Sequence, residues 1–116
     1  MNNDREKRME LRNIIAIIPT GTVANVEKQL QKIGVKGLTV THVSGYGEYK
    51  DLLRENWLVT HARIEVFAAR TKADIIADVI MEAAHTGMPG NGIVCILPVE
   101  KIYRIRTKSE AKADEI

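Results

Sequence analysis

The apolar positions of the chain fall into blocks of two periods, and the order of those blocks predicts the architecture. Ile14, Ile15, Ala16, Ile17 and Ile18 form a continuous apolar run closed by Pro19, Thr20 and Gly21. Such a run suits a strand covered on both faces better than a short helix. Val23, Val26, Leu30 and Ile33 then recur at helical spacing among charged and amide residues, with Gly34 as a stop, which predicts an amphipathic helix. From Gly37 the period becomes β-like: Leu38, Val40 and Val43 are interleaved with Thr39, Thr41 and His42, and the stretch ends at Gly45, Tyr46 and Gly47. Residues 48–56 mix both charge signs without an apolar period and predict an exposed loop of the kind on which function concentrates. Residues 58–69 alternate as a third strand.

Thr71 and Asp74 match a capping box that would open a second helix. Ile75, Ile76, Val79, Ile80, Ala83 and Ala84 share one face of that helix, and Thr86 and Gly87 end it. A glycine-rich turn over 87–92 leads to a fourth strand at 93–97 and a short extended piece around 103–106. The order strand, helix, strand, strand, helix, strand gives the ferredoxin-like α+β sandwich, βαββαβ, with two helices on one face of an antiparallel sheet. Strands so rich in Ile, Val and Leu predict that the other face meets a partner sheet, and hence a homo-oligomer. Charged segments at 1–10 and 108–116 read as flexible tails, leaving 11–107 as one domain.

A length of 116 residues supports one core, and 45% apolar with 28% charged residues is ordinary for a globular domain. No apolar run reaches bilayer length, which argues against membrane insertion, and the charged start lacks a secretory signal, so the expected location is the cytoplasm. A net charge of +2 with interspersed signs and only 4% aromatic residues argues against a nucleic-acid binder. Cys95 has no intrachain partner and lies in an apolar run, which predicts a small, buried, inert thiol.

Two glycine clusters, at 34–47 and 86–92, carry the candidate chemistry. Glycines let main-chain amides approach an anion closely and cradle phosphate oxygens, although such turns also serve purely structural ends. Arg104 and Arg106 stand two apart, so on a strand both guanidinium groups would face one way as a phosphate fork. A solvated strand edge is the alternative. His42, His61 and His85 show no metal-ligand spacing and read as solvated or strand-face residues, and no metal is expected. No P-loop, nucleophile elbow or HExxH is present, and Ser44 and Ser109 have no base nearby in sequence. The residues therefore point to a protein that is not an enzyme.

Taken together, the strand ending GLTVTHVSGYG, the strand ARIEVF, the helix ending AAHTGMPGNG, the strand IVCILPVEKIY and the terminal RIRT resemble the PII nitrogen-regulatory proteins over residues 11–107. The resemblance implies a cytoplasmic signalling homotrimer with three nucleotide sites between subunits. It also implies a T-loop, here residues 47–57, that engages a partner protein such as a membrane transporter or a metabolic enzyme. Carried over by position, Ile17, Gly37, Thr39, Glu65 and Phe67 would line the adenine and ribose part of the site. Gly45, Gly47, Gly90, Asn91 and Gly92 would face the phosphates from the turns, and Arg104 and Arg106 would add positive charge.

Departures from the family pattern refine the expectation. Glu48 and Tyr49 replace an arginine and a glutamine after the glycine pair, Ile93 replaces a lysine after the second turn, and His61 replaces the lysine that grips 2-oxoglutarate. Each lost cation removes a charge-assisted bond worth about 1.5–3 kcal/mol, so ADP or AMP is expected over ATP, with no 2-oxoglutarate sensing. The loop is also short, and Tyr49 lies too near its base to stand in for the tyrosine that some members modify. These changes resemble divergent members associated with inorganic-carbon uptake, which makes bicarbonate the candidate second effector, near Tyr46, Glu48 and His61. Three alternatives stand beside this reading: a nitrogen-metabolism regulator of the ATP-binding type, a slow nucleotide hydrolase and a ligand-free structural trimer.

Overall fold

Alternation along the first strand, β1 (Leu11–Pro19), sets the layering of the molecule. In the computed structural model, which describes residues 10–45, 59–87 and 92–116, Ile14, Ala16 and Ile18 are at most 1% exposed, whereas Ile15 and Ile17 are only partly covered. The strand thus has one covered face in the single chain, not the two expected, because both helices pack on the same side. Three further strands complete the sheet: β2 (Thr39–Gly45), β3 (Val59–Ala69) and β4 (Ile93–Val99). Their order is β2-β3-β1-β4 and every pairing is antiparallel. Register places Ile14 opposite Val66, Ala16 opposite Ile64 and Ile18 opposite Ala62, so the inward side chains of the two central strands meet in pairs.

Helix α1 (Val23–Lys32) contributes Val26 and Leu30, four residues apart and fully buried. A single 3-10 turn at Thr20–Thr22 leads into it, with the Thr22 hydroxyl donating to the Pro19 carbonyl at 2.7 Å. The helix ends in a Schellman motif: the Val35 amide donates to Leu30 O at 3.1 Å and the Gly34 amide to Gln31 O at 3.1 Å, with Gly34 at φ +90°. Helix α2 (Arg70–Ala84) buries Ala73, Ile76, Ala77, Ile80 and Ala84. Three of these five are alanines, which brings the helix axis close to the sheet.

The start of α2 departs from the capping-box expectation. Strand β3 runs into the helix without a loop, Ala69 occupies the cap position, and no side chain caps it. Thr71 and Asp74 already lie inside the helix. The Arg70 amide instead donates to the Glu10 carbonyl at 2.6 Å, just before β1, and the Arg70 guanidinium lies 3.5 Å from the Glu10 carboxylate.

The C-terminal part also differs from its sequence reading. Only Tyr103–Arg104 of the expected extended piece is a strand, β5, and it pairs with β6 (Ser109–Glu110) across a turn that contains Ile105, Arg106 and Lys108, the last at φ 55°. Ala111, 1% exposed, anchors the hairpin, its amide donating to Ile102 O at 2.8 Å, and a 3-10 turn follows at Ala113–Glu115. Residues 108–116, expected as a tail, thus carry regular structure. The segment expected as the T-loop, most of the N-terminal segment and the centre of the second glycine turn fall outside the described residues, and Tyr46, Gly47, Glu48, Gly90 and Asn91 with them.

Candidate functional site

The side of the sheet away from the helices carries Ile15, Ile17, Arg63, Glu65, Phe67, Cys95 and Leu97, as the register and the buried positions of the intervening residues require. Cys95 is exposed, against the expectation of a buried thiol. An apolar run shows that a strand is apolar, not which of its sides a single chain covers, and β4 is an edge strand. His61 also lies on β3 but is 4% exposed, so it is a strand-face residue that is not solvated.

Beside the start of β2, where β3 extends past its partner, a cleft of about 600 Å³ opens at the edge of the sheet, between the outward side chains of β3 and the flank of α2. Its rim is the irregular segment that follows the Schellman motif, including Lys36 and Gly37, and Thr39 opens β2 next to it. Its floor is Glu65 and Phe67 of β3, the latter 45% exposed. Lys72 and Ile75 of α2 form one wall, and Arg104 with Glu115 and Ile116 form another. A β-carbon at Gly37 would meet nothing within 4 Å, so the glycine leaves this side of the cleft open.

Charge in the cleft is divided. The Glu65 carboxylate accepts from the Asn13 amide at 3.0 Å and from the Arg63 guanidinium at 3.5 Å, which fixes it as an acceptor on the floor. Lys36, Lys72 and Arg104 bring three cations to the rim and walls. A ligand with hydrogen-bond donors at one end and an anion at the other matches that division. The cleft size is in the ordinary range for a small-molecule site.

Five of the sequence-nominated residues, Gly37, Thr39, Glu65, Phe67 and Arg104, line this one cleft. Ile17, Gly45, Gly92 and Arg106 lie outside it. Gly45 ends β2, about 20 Å along the strand from Thr39 by strand rise. Gly92, at φ +94°, sits where a β-carbon would stand 1.7 Å from Ile17 O, so Gly92 and Ile17 are in main-chain contact toward the same end of the sheet as Gly45. The paired-arginine fork does not form: Arg106 falls in the turn after β5, so strand alternation does not align it with Arg104, and it does not line the cleft.

Lys36, Lys72, Ile75 and Glu115 were not nominated from the sequence. Lys36 and Lys72 carry a faint signal as cations flanking an apolar stretch. Glu115 carries none, because it acts through its carbonyl, which accepts from the Arg104 guanidinium at 2.8 Å. Among the described residues no group of three or more His, Cys, Asp or Glu could hold a metal ion, and no helix is long and apolar enough to cross a membrane.

Comparison with known proteins gives one consistent answer. The family model described as "Nitrogen regulatory protein P-II" matches residues 11–109. The chain is 37% identical over 102 residues to nitrogen regulatory protein GlnK2 of Haloferax mediterranei, covering 81% of this chain and 82% of that protein. It is 35% identical over 104 residues to nitrogen regulatory protein P-II of Azospirillum brasilense (84% and 93% covered) and 34% identical over 110 residues to nitrogen regulatory protein GlnK of Escherichia coli K12 (88% and 95% covered). Among solved structures, Arabidopsis thaliana PII bound to citrate superposes with a TM-score of 0.77 at 29% identity, covering 88% of this chain and 89% of that one.

Proposed function

The chain belongs to the P-II family of nitrogen regulatory proteins, and from that premise we propose that it is a regulator that binds an adenine nucleotide between subunits and reports it to a partner protein. The observation that carries the reading is the cleft, which has an acceptor and an aromatic floor at Glu65 and Phe67 and a cationic wall at Arg104. A purine lies over Phe67 with its exocyclic amine toward Glu65, and the phosphates run toward the cations.

One subunit holds only half of such a site. Gly37, Thr39, Glu65, Phe67 and Arg104 gather beside the start of β2, whereas Ile17, Gly45 and Gly92 lie toward the opposite end of the sheet. In a closed cyclic trimer, whose sheets turn their open faces inward, the first group of one subunit meets the second group of the next. The partly covered Ile15 and Ile17 and the exposed Cys95 and Leu97 supply the apolar surface that this assembly buries.

The missing lysine at Ile93 and the acidic Glu48 support ADP or AMP over ATP, and bicarbonate is the second effector to test, with Tyr46, Glu48 and His61 as its candidate residues. Signalling passes through the loop over 47–57 to a transporter or a metabolic enzyme in the cytoplasm. Regulation, not catalysis, is the activity. A nitrogen-regulatory role is the second reading, favoured by the names of the relatives, and ATP is the nucleotide to test for it.

Calorimetric titration of the purified protein with AMP, ADP and ATP, each with and without bicarbonate, tests the reading. Binding of ADP or AMP is the expected result, weakened about tenfold or more in Arg104→Ala by loss of a charge-assisted contact. No heat with any nucleotide overturns the nucleotide reading. No added heat from bicarbonate removes that effector, and a clear preference for ATP favours the second reading.

A further inference from the structure

The cationic wall of the cleft is already engaged by the protein's own C-terminal turn. Arg104 of β5 donates through its guanidinium to the Glu115 carbonyl at 2.8 Å, and Glu115 and Ile116 themselves line the cleft next to Arg104. The turn is internally closed: the Glu115 amide donates to Lys112 O at 2.9 Å, and the Lys112 amide donates to the Glu115 carboxylate at 3.3 Å. Its hold on the body is light. Ala111 is buried, but every residue of 112–116 is exposed or only partly covered, so little apolar burial secures the turn beyond the anchored hairpin.

We propose that residues 112–116 form a latch over the cleft, which an anionic ligand displaces by taking Arg104 from the Glu115 carbonyl. The proposal rests on the nucleotide reading above for the identity of that ligand. A peptide carbonyl is a neutral acceptor, whereas a phosphate oxygen is charged and accepts a stronger bond from the same guanidinium. Ligand and latch also compete for volume, because Glu115 and Ile116 line the space that the ligand enters. The position of the turn thus reports occupancy, and closing it taxes affinity by the fraction of molecules that are latched.

The test uses the full-length assembled protein and two variants. Glu115→Pro removes both the amide and the carboxylate that close the turn and touches no core residue. Its ADP affinity is expected to rise about fivefold, the value for a latch closed in roughly four molecules of five. A chain ending at Lys112 should behave in the same way. Unchanged or weaker ADP binding in both overturns the competition.

Hydrogen exchange supplies a readout that needs no nucleotide. In Arg104→Ala the amides of Glu115 and Ile116 are expected to exchange about tenfold faster than in the parent protein, because the contact that seats the turn is gone. Equal exchange with ADP still binding overturns the latch alone. Absence of ADP binding in both the parent and Glu115→Pro, with accelerated exchange in Arg104→Ala, overturns the nucleotide reading and the displacement, and leaves the seated turn standing.

Discussion

At Gly92 the backbone adopts φ +94° and a β-carbon would fall 1.7 Å from Ile17 O, whereas Gly37 has open space around it. The two glycines came from one sequence argument about anion cradles, yet the structure asks different things of them. Gly92→Ala is expected to lose at least about 2 kcal/mol, read as a fall in the urea midpoint, because β4 must move off β1 and the residue must leave a left-handed conformation. Gly37→Ala should leave the midpoint within about 0.5 kcal/mol of the parent while weakening nucleotide binding in the titration, since its methyl group intrudes on the cleft. Sequence alone could not separate them, because close approach between two main chains leaves no mark on residue type beyond the glycine itself. The same blindness hid Glu115, whose carbonyl rather than its carboxylate meets Arg104.

Elements with a sustained period were legible. β1, α1, β2, β3, α2 and β4 follow the blocks of apolar residues in order, and the stop at Gly34 is a Schellman motif as its position suggested. Gly34→Ala is expected to cost about 1 kcal/mol by thermal melting, since φ +90° is strained for alanine. The two-residue strands β5 and β6 are too short to have a period, so the sequence does not reveal the hairpin, and the strand that would align Arg106 with Arg104 ends two residues short of Arg106. Thr71 and Asp74 satisfied a pattern without performing it, because β3 enters α2 directly and the backbone at Glu10 accepts the first helical amide. Thr71→Ala should therefore change the melting free energy by less than about 0.5 kcal/mol, well below the ~1 kcal/mol typical of a lost cap.

At the scale of the whole molecule, the two helices claim one side of the sheet and leave the other to be covered from outside. The apolar density of the strands announces that need, but not which residues meet it: Cys95 lies in an apolar run that predicts burial, and in the single chain it is exposed. In the assembled protein Cys95 is expected to resist thiol reagents, and light-scattering mass should be three times that of the chain. Leu97→Glu, which places a charge on the same side of β4 as Cys95, should yield monomers that bind ADP at least about tenfold more weakly, as expected when a buried charge splits a shared site. A monomer that binds as tightly as the parent would show that one subunit carries the entire site.

The open ground beside Gly37 also bears on how such a protein changes its effector over generations. A side chain added there disturbs neither the core nor a strand ladder, so ligand preference can drift while the scaffold persists. At Gly92 the same replacement forces two strands apart, and a lineage that carries it gives up stability before any new ligand can be tried.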